Sequence, residues 1–346
     1  MAFLKLTMPT LQKIKRVSVI IPSHNRHQML REAIESVSNQ TYPECEVIVI
    51  DDGSMSPVDF ADLRAIARRE IVLLRNDSPL GQAVSREKGE KVATGEFIFH
   101  LDDDDQLEPN AIESGISIFD AEPEIDIVFF NVKGFGERAS AFDQVQKNAL
   151  EKVLQVAKVL ETGQGIIRFE KTVFPALLIS VPMAFQRPMV KREVWRNITE
   201  LRRKAYTHDH PLSPPLRESE WALYATATSR VALITHPLYL QRCDGQGYFS
   251  IGSERKAAER AGIQIFEHLL QFSETEPELR IWLKEIKQAV AQCYFNEAYI
   301  RFYRGERIAA MDYLLKASVL NPRVAYLRFG LRMLFPITNQ DIKQPL

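Results

Sequence analysis

The sequence predicts an α/β fold: a mostly parallel central sheet with helices on both faces, followed by an all-helical C-terminal region. Three observations lead there. Over the first 130 residues, short apolar runs alternate with stretches whose apolar residues recur at helical spacing. That is the rhythm of βαβ units. The apolar runs end in polar clusters, and in a parallel sheet such ends form the carboxyl edge where ligands bind. From Glu254 onward only helical periodicity remains.

The elements follow in order. Val17–Ile21 reads as a strand buried on both faces. Leu30, Ala33, Ile34 and Val37 form the apolar stripe of a helix. Val47–Ile50 is a second strand, cut off by Asp51-Asp52-Gly53-Ser54. Residues 57–69 suit a helix with Pro57 in its first turn. Ile71–Leu74 is a third strand, and residues 82–93 are a helix broken by Gly95. Phe97–Leu101 is a fourth strand, stopped by Asp102–Asp105, and a helix starts near Pro109. Ile127–Phe130 is a fifth strand. A helix is expected over 145–160, and strand-like runs with a short helix near Val194-Trp195 over 172–196. Three prolines within His208–Pro215 predict a loop. A helix over Glu218–Thr226 and two strands, Val231–Thr235 and Leu238–Gln241, come next. Gly245–Gly252 suits a lid or a plain surface loop.

The helical region has patterns over 279–303 and 306–320. Ala298, Gly305, Ala309, Leu315-Lys316-Ala317 and Asn321-Pro322 together look like one tetratricopeptide unit, a single helical pair. In Val324–Phe335, Leu327, Leu331 and Leu334 share one face and Arg328 and Arg332 another. Packing of the leucine stripe on the helical region is the expectation, and contact with a membrane surface is the alternative. The predicted organisation is an N-terminal extension over 1–16, α/β halves over 17–135 and 136–253, and a helical region over 254–346.

Composition narrows the function. The 346 residues suit one large domain plus a smaller one. Lys and Arg number 44 against 45 Asp and Glu, so no global field marks a nucleic-acid binder. Three unpatterned cysteines, Cys45, Cys243 and Cys293, argue against a disulfide framework or a structural zinc and for a reducing, cytoplasmic setting. No stretch approaches the roughly 18 apolar residues of a membrane span. A peripheral place at the inner membrane face is the alternative.

The chemistry concentrates at the strand ends. Four adjacent carboxylates, Asp102–Asp105, repel one another unless a cation or donors compensate them. Their oxygens suit Mg²⁺ or Mn²⁺, which bridges phosphates. The competing reading is a solvated turn before a helix. Asp52 suits a ribose hydroxyl or a base N–H, or it forms a plain Asp-Gly turn. His24 and Asn25 suit stacking and bonding to a base, with Asn25 also a candidate helix N-cap. Arg86 suits a phosphate clamp or the orientation of an Asp, or it belongs to a solvated face. Glu218 and Glu220 read as first-turn acids of a helix, favoured there by its dipole.

Taken in order, Val17–Asn25 (VSVIIPSHN), Ser36 with Gln40-Thr41-Tyr42-Pro43, Glu46–Ser54 (EVIVIDDGS), Asn76 with Gly81 and Arg86, Gly95–Phe99 and Leu101–Asp105 (LDDDD) resemble the family 2 glycosyltransferases. The resemblance covers roughly the first 130 residues. It implies the GT-A fold, a Rossmann-like sheet, and an inverting enzyme of the hexosyl-transferring type using a nucleotide-sugar donor, UDP-sugar favoured. The acceptor would be a saccharide or a lipid-linked hydroxyl, in polysaccharide assembly. Pro22, His24 and Asn25 would line the nucleotide pocket and Asp52 would bind the base. Asp104 would lie near ribose and diphosphate, and Asp105, with Asp104, would hold Mn²⁺ or Mg²⁺ through an Asp-x-Asp motif. Asp102 would support the site and Arg86 would contact the nucleotide. Glu220 would be the base, with Glu218 in reserve, because Ser219-Glu220 stands where a Glu-Asp pair is usual. Arg242 would meet the diphosphate.

Other classes fit less well. A nucleotidylyltransferase needs a glycine-rich basic loop where this chain has Pro22-Ser23-His24-Asn25. No G-x-G-x-x-G or P-loop pattern follows any strand. A catalytically silent scaffold, pairing partners or copies of itself through the C-terminal helices, is the remaining alternative.

Overall fold

A computed structural model describes residues 15–162, 165–205, 214–244 and 252–335. Residues 1–14, residues 206–213, where a loop was expected, and residues 245–251, where a lid or surface loop was expected, lie outside the described residues. Among the described residues, ten strands form one sheet. They are β1 (Val17–Ser23), β2 (Cys45–Asp52), β3 (Glu70–Asn76), β4 (Phe97–His100), β5 (Gln106–Leu107), β6 (Ile127–Phe135), β7 (Val159–Thr162), β8 (Ile166–Phe169), β9 (Pro188–Lys191) and β10 (Val231–Arg242). The order is β3-β2-β1-β4-β9-β6-β10-β8-β7, with β5 on β10. β3, β2, β1 and β4 are mutually parallel, and β10 is parallel to β6. β9 runs antiparallel between β4 and β6.

Helices are α1 (His27–Ser38), α2 (Phe60–Ile66), α3 (Gln82–Val92), α4 (Ala111–Ala121), α5 (Ala139–Val156), α6 (Phe174–Leu177), α7 (Arg192–Ala205), α8 (Pro214–Thr228), α9 (Gly252–Ser273), α10 (Pro277–Arg280), α11 (Leu283–Tyr303), α12 (Arg307–Leu320) and α13 (Val324–Arg332). The period-two alternation of each strand divides its residues between two cores. Val17, Val19, Ile21, Val47 and Val49 pack with α1 and α4, while Ile20, Ile48 and Ile50 share the other core with α5, α7 and α8. A third cluster joins α11, α12 and α13 through Phe302, Leu314, Tyr326 and Phe329. The helical region is anchored to the sheet layer by Trp282, whose indole N–H donates to the Ala227 carbonyl at 3.2 Å.

Several sequence expectations change. α2 starts at Phe60, because the Asp59 side chain caps it by accepting from the Ala61 N–H; Pro57 lies ahead of the helix. The two expected strands after α8 are one strand, β10, whose pairing with β6 shifts register between Ile234 and Tyr239. The short helix near Val194 is the full-length α7. α8 starts at Pro214, since proline suits a first turn. α5 begins at Ala139, ahead of the expected 145. In α13 the leucine stripe does not pack. Leu327, Leu331 and Leu334 are 67%, 55% and 70% exposed, while Tyr326, Phe329 and Met333 face the third cluster.

Gly53 makes the turn that ends β2 at a positive φ of 68°, and a Cβ there would sit 2.5 Å from the Ser78 carbonyl carbon. Gly53→Ala therefore meets both backbone strain and a backbone clash. It is expected to cost about 2 kcal/mol or more, read as a lowered midpoint in chemical denaturation.

Candidate active site

The carboxyl ends of β1, β2, β3 and β4 converge on one edge, as their parallel pairing requires. At the end of β1, Asn25 adopts φ 55°, a left-handed conformation that Asn tolerates better than most residues. It is not the cap of α1; Arg26 holds that position without a side-chain cap bond. Asn25 instead ties two loops: its N–H donates to Ser54 Oγ at 2.9 Å, and its Oδ1 accepts from the Met55 N–H at 2.8 Å. The carbonyl of Asp52 accepts from His24 Nδ1 at 2.7 Å. That fixes the tautomer, so Nε2 accepts from Asn25 Nδ2 at 2.8 Å. His24 and Asn25 are both exposed at the mouth, and Pro22 is buried in the strand.

Asp52 is buried and organises the turn before α3. Its carboxylate accepts from Asn76 Nδ2 and from the backbone N–H groups of Leu80 and Gly81. Burial opposes its ionisation, yet these donors outweigh it and hold its pKa below the ordinary carboxylate value. Asp51 does the same for the turn after β2, accepting from the Ser54 and Val58 N–H groups and from Arg75.

The acidic run divides by contact. Asp103 turns inward, accepting from Ser23 Oγ at 2.7 Å and from Arg26 at 3.1 Å; burial raises its pKa to about 6. Asp104 meets Arg26 at 2.9 Å. Asp105 is buried and accepts from the Tyr239 hydroxyl at 3.0 Å and from the Arg242 N–H at 2.9 Å. Asp102 faces Arg86 at 2.6 Å and Arg187 at 3.2 Å. For Asp102, burial is outweighed by Arg187 and Arg86, so its pKa is lowered; for Asp105, burial and the neighbouring Asp102 push it well up.

Arg187 is absent from the sequence expectations and central to the geometry. It is 3% exposed and lies 3.2 Å from Asp102, 3.7 Å from Asp105 and 3.2 Å from Glu218, over the Tyr239 ring. Glu218 also meets Arg86 at 2.5 Å. The two arginines thus link the strand-end acids to α8. Glu220 stands elsewhere. It is 1% exposed and bonded to Arg202 at 3.0 Å. Residues two apart on a helix point about 200° apart, so Glu218 and Glu220 cannot serve one site. The structure brings Glu218 to the acids and does not bring Glu220. Arg242 bonds the Asp104 carbonyl at 2.9 Å and pairs with Glu32, on the wall of an open cavity of about 300 Å³ that Arg26 and Asp104 also line.

One oxygen each from Asp102, Asp104 and Asp105 lies within 4.8 Å of the others. Three hard oxygen donors, one of them a buried acid destabilised by its neighbours, fit a Mg²⁺ or Mn²⁺ ion.

The family described as Glycosyl transferase family 2 matches residues 18–174. This stretch is a family 2 glycosyltransferase domain. The matched segment contains nearly all of β1, the strands β2 to β8 and the strand-end groups from Pro22 to Asp105; Arg187, Arg202, Glu218, Glu220, Tyr239 and Arg242 lie beyond it. The O-antigen biosynthesis protein RfbC of Myxococcus xanthus is 29% identical over 75% of this chain and 18% of its own length. The Escherichia coli UDP-Glc:alpha-D-GlcNAc-diphosphoundecaprenol beta-1,3-glucosyltransferase WfgD is 39% identical over 30% of this chain and 40% of its own. The chain therefore spans less than half the length of these two relatives. Among solved structures, Staphylococcus aureus TarS 1–349 with UDP-GlcNAc superposes with TM-score 0.54 at 15% identity, covering 88% of this chain and 91% of that one. Mannosyltransferase PcManGT of Pyrobaculum calidifontis, with GDP-Man and Mn²⁺, gives 0.52 at 17% identity, covering 93% and 81%. The glycosyltransferase domain thus has the GT-A fold, with its antiparallel β9 inside an otherwise parallel stretch.

Arg187→Met removes the cation shared by three buried or half-buried carboxylates. A loss of about 3–5 kcal/mol in folding stability is expected, measured by urea denaturation, with Arg187→Lys losing less.

Proposed function

We propose that the chain transfers a sugar, with inversion, from a nucleotide-diphosphate sugar to a hydroxyl of a saccharide or lipid-linked acceptor. A UDP-sugar is the favoured donor. The observation that carries this reading is the bridge from Asp102 through Arg86 and Arg187 to Glu218, which sets a carboxylate opposite a metal-competent acidic cluster. We read residues 17–135 as the donor half and 136–253 as the acceptor half. A TarS structure with UDP-GlcNAc and a PcManGT structure with GDP-Man and Mn²⁺ support the donor class. The WfgD name supports a lipid-diphosphate acceptor.

The roles follow from position. Asp104 and Asp105, supported by Asp102, hold Mn²⁺ or Mg²⁺, which when bound supplies Lewis-acid stabilisation of the leaving diphosphate. Arg26 and Arg242 lie beside Asp104 and add positive charge where the diphosphate leaves. Pro22, His24, Asn25 and Asp52 shape the nucleotide end, Asp52 by holding the Leu80–Gly81 backbone. Glu218 takes the proton of the acceptor hydroxyl. A carboxylate has about four lone-pair sites, so two arginine contacts leave Glu218 able to accept. Glu220 is then a buried partner of Arg202, not the base.

The exposed leucine stripe favours a peripheral membrane position for a cytoplasmic enzyme acting on a lipid-linked acceptor. Leu327, Leu331, Leu334 and Phe335 are exposed. The sequence from Tyr313 to Phe335 contains Lys316, Arg323, Arg328 and Arg332 and no acid. Apolar side chains flanked by cations match an anionic lipid surface, at about 1 kcal/mol per cation. No helix among the described residues is long and apolar enough to cross a membrane.

Two outcomes test this function. With a panel of UDP, GDP and dTDP sugars and Mn²⁺, Glu218→Gln is expected to lower transfer by about 10²–10⁴-fold while sparing nucleotide binding; retained activity there, with loss in Glu220→Gln, contradicts the assignment. Co-sedimentation with phosphatidylglycerol-containing vesicles is expected for the native chain and lost in Leu327→Glu/Leu331→Glu. Concentration-dependent dimers in light scattering, without vesicle binding, assign the stripe to self-association instead.

A further inference from the structure

Behind Arg86 and Glu218 lies a cavity of about 50 Å³ that the proposed transfer chemistry does not use. It is walled by Trp195 and Thr199 of α7, Trp221 of α8, His100 of β4 and Pro188 of β9. The two indoles stack at 4.8 Å and 26°, and His100 meets Trp195 edge-on at 4.2 Å. Four polar residues of the lining are at least nine-tenths buried: His100 is 5% exposed, Trp195 7%, Thr199 9% and Trp221 4%.

Each also carries a polar atom with no hydrogen-bond partner: His100 Nε2, Trp195 Nε1, Thr199 Oγ1 and Trp221 Nε1. The Nε atoms of Arg86 and Arg202, which line the same cavity, are likewise unpartnered. A buried donor left unpaired costs about 1–3 kcal/mol. Six unpartnered polar atoms on residues that line one space point to a ligand better than scattered packing defects do.

The chemistry of the wall selects its occupant. Indole N–H groups only donate, and a carbonyl oxygen has two lone pairs to receive them. Pro188 and the ring carbons offer apolar contact for a methyl group. At about 50 Å³ the space is well below the roughly 150 Å³ that takes a benzene ring, so it admits a small substituent and not a sugar ring. An acetamido group is such a substituent, with one carbonyl oxygen and one methyl.

We propose that this cavity is a subsite for the N-acetyl group of a sugar substrate. The proposal rests on the glycosyl-transfer reading, because Glu218 and Arg86 at the cavity's edge place the sugar beside it.

The chain has three tryptophans, and the third is an internal control: the Trp282 indole N–H is already bonded to Ala227. The full chain with ¹⁵N-labelled tryptophan is titrated with N-acetylglucosamine or glucose, and the indole resonances, assigned by Trp195→Phe and Trp221→Phe, are followed. N-acetylglucosamine at up to about 100 mM is expected to move the Trp195 and Trp221 resonances saturably. Glucose and the Trp282 resonance are expected to stay silent. Thr199→Val, which keeps the volume, is expected to weaken the response about fivefold to tenfold.

Two further arms separate the sources. A response to UDP-N-acetylglucosamine with Mn²⁺ places the group on the donor, and a response to the free sugar in the presence of UDP places it on the acceptor. Silence of both indoles in every arm, or equal response to glucose, overturns the subsite. UDP binding recorded on the same sample separates the two ideas: silent indoles with bound UDP sink the subsite alone, and loss of both sinks the transfer reading as well.

Discussion

A single buried guanidinium balances the active edge of this protein. Asp102, Asp105 and Glu218 come from two distant parts of the chain, and Arg187 touches all three from a 3%-exposed position. Without a shared cation, carboxylates this close force one another's pKa upward; at Asp105 burial, and then Asp102, hold the pKa well up against the pull of Arg187. The position of Arg187 depends in turn on β9, which begins one residue later and runs antiparallel between β4 and β6. The insertion of that short strand is what delivers the arginine beneath the end of β4.

The other strand ends are held by a second set of bonds that runs across the edge. Asn25 joins the loop after β1 to the loop after β2, and Asp52 joins β2 to the turn before α3. Tyr239 and Arg242 of β10 close the set by bonding Asp105 and the Asp104 backbone. The strand ends are therefore tied together by neutral and charge-assisted hydrogen bonds, which hold the crevice in shape.

Much of this was legible in the sequence, because buried parallel strands are continuous apolar runs and their polar ends stand out. The first four strands and the acidic run at Asp102–Asp105 belong to that class. β9 was legible only as one of the strand-like runs within 172–196; its antiparallel place between β4 and β6 has no local signal. Arg187 vanished with it, although an arginine between Gln186 and an apolar run was the one cue available. The placement of Glu218 beside the strand-end acids, with Glu220 turned to Arg202, depends on helix phase. Both acids precede Trp221, and only the start of α8 at Pro214 decides which one faces the crevice. In α13 two stripes share helical spacing, Leu327-Leu331-Leu334 and Tyr326-Phe329-Met333. Packing against α11 and α12 chose the aromatic one.

The central claim is that the acidic run, balanced by Arg187, holds a divalent ion and a nucleotide diphosphate. Anomalous diffraction from crystals grown with UDP and Mn²⁺ tests it most directly. The account predicts one manganese peak coordinated by Asp105, with Asp104 or Asp102, and by the diphosphate. A diphosphate held by arginines with no manganese peak at these acids contradicts it.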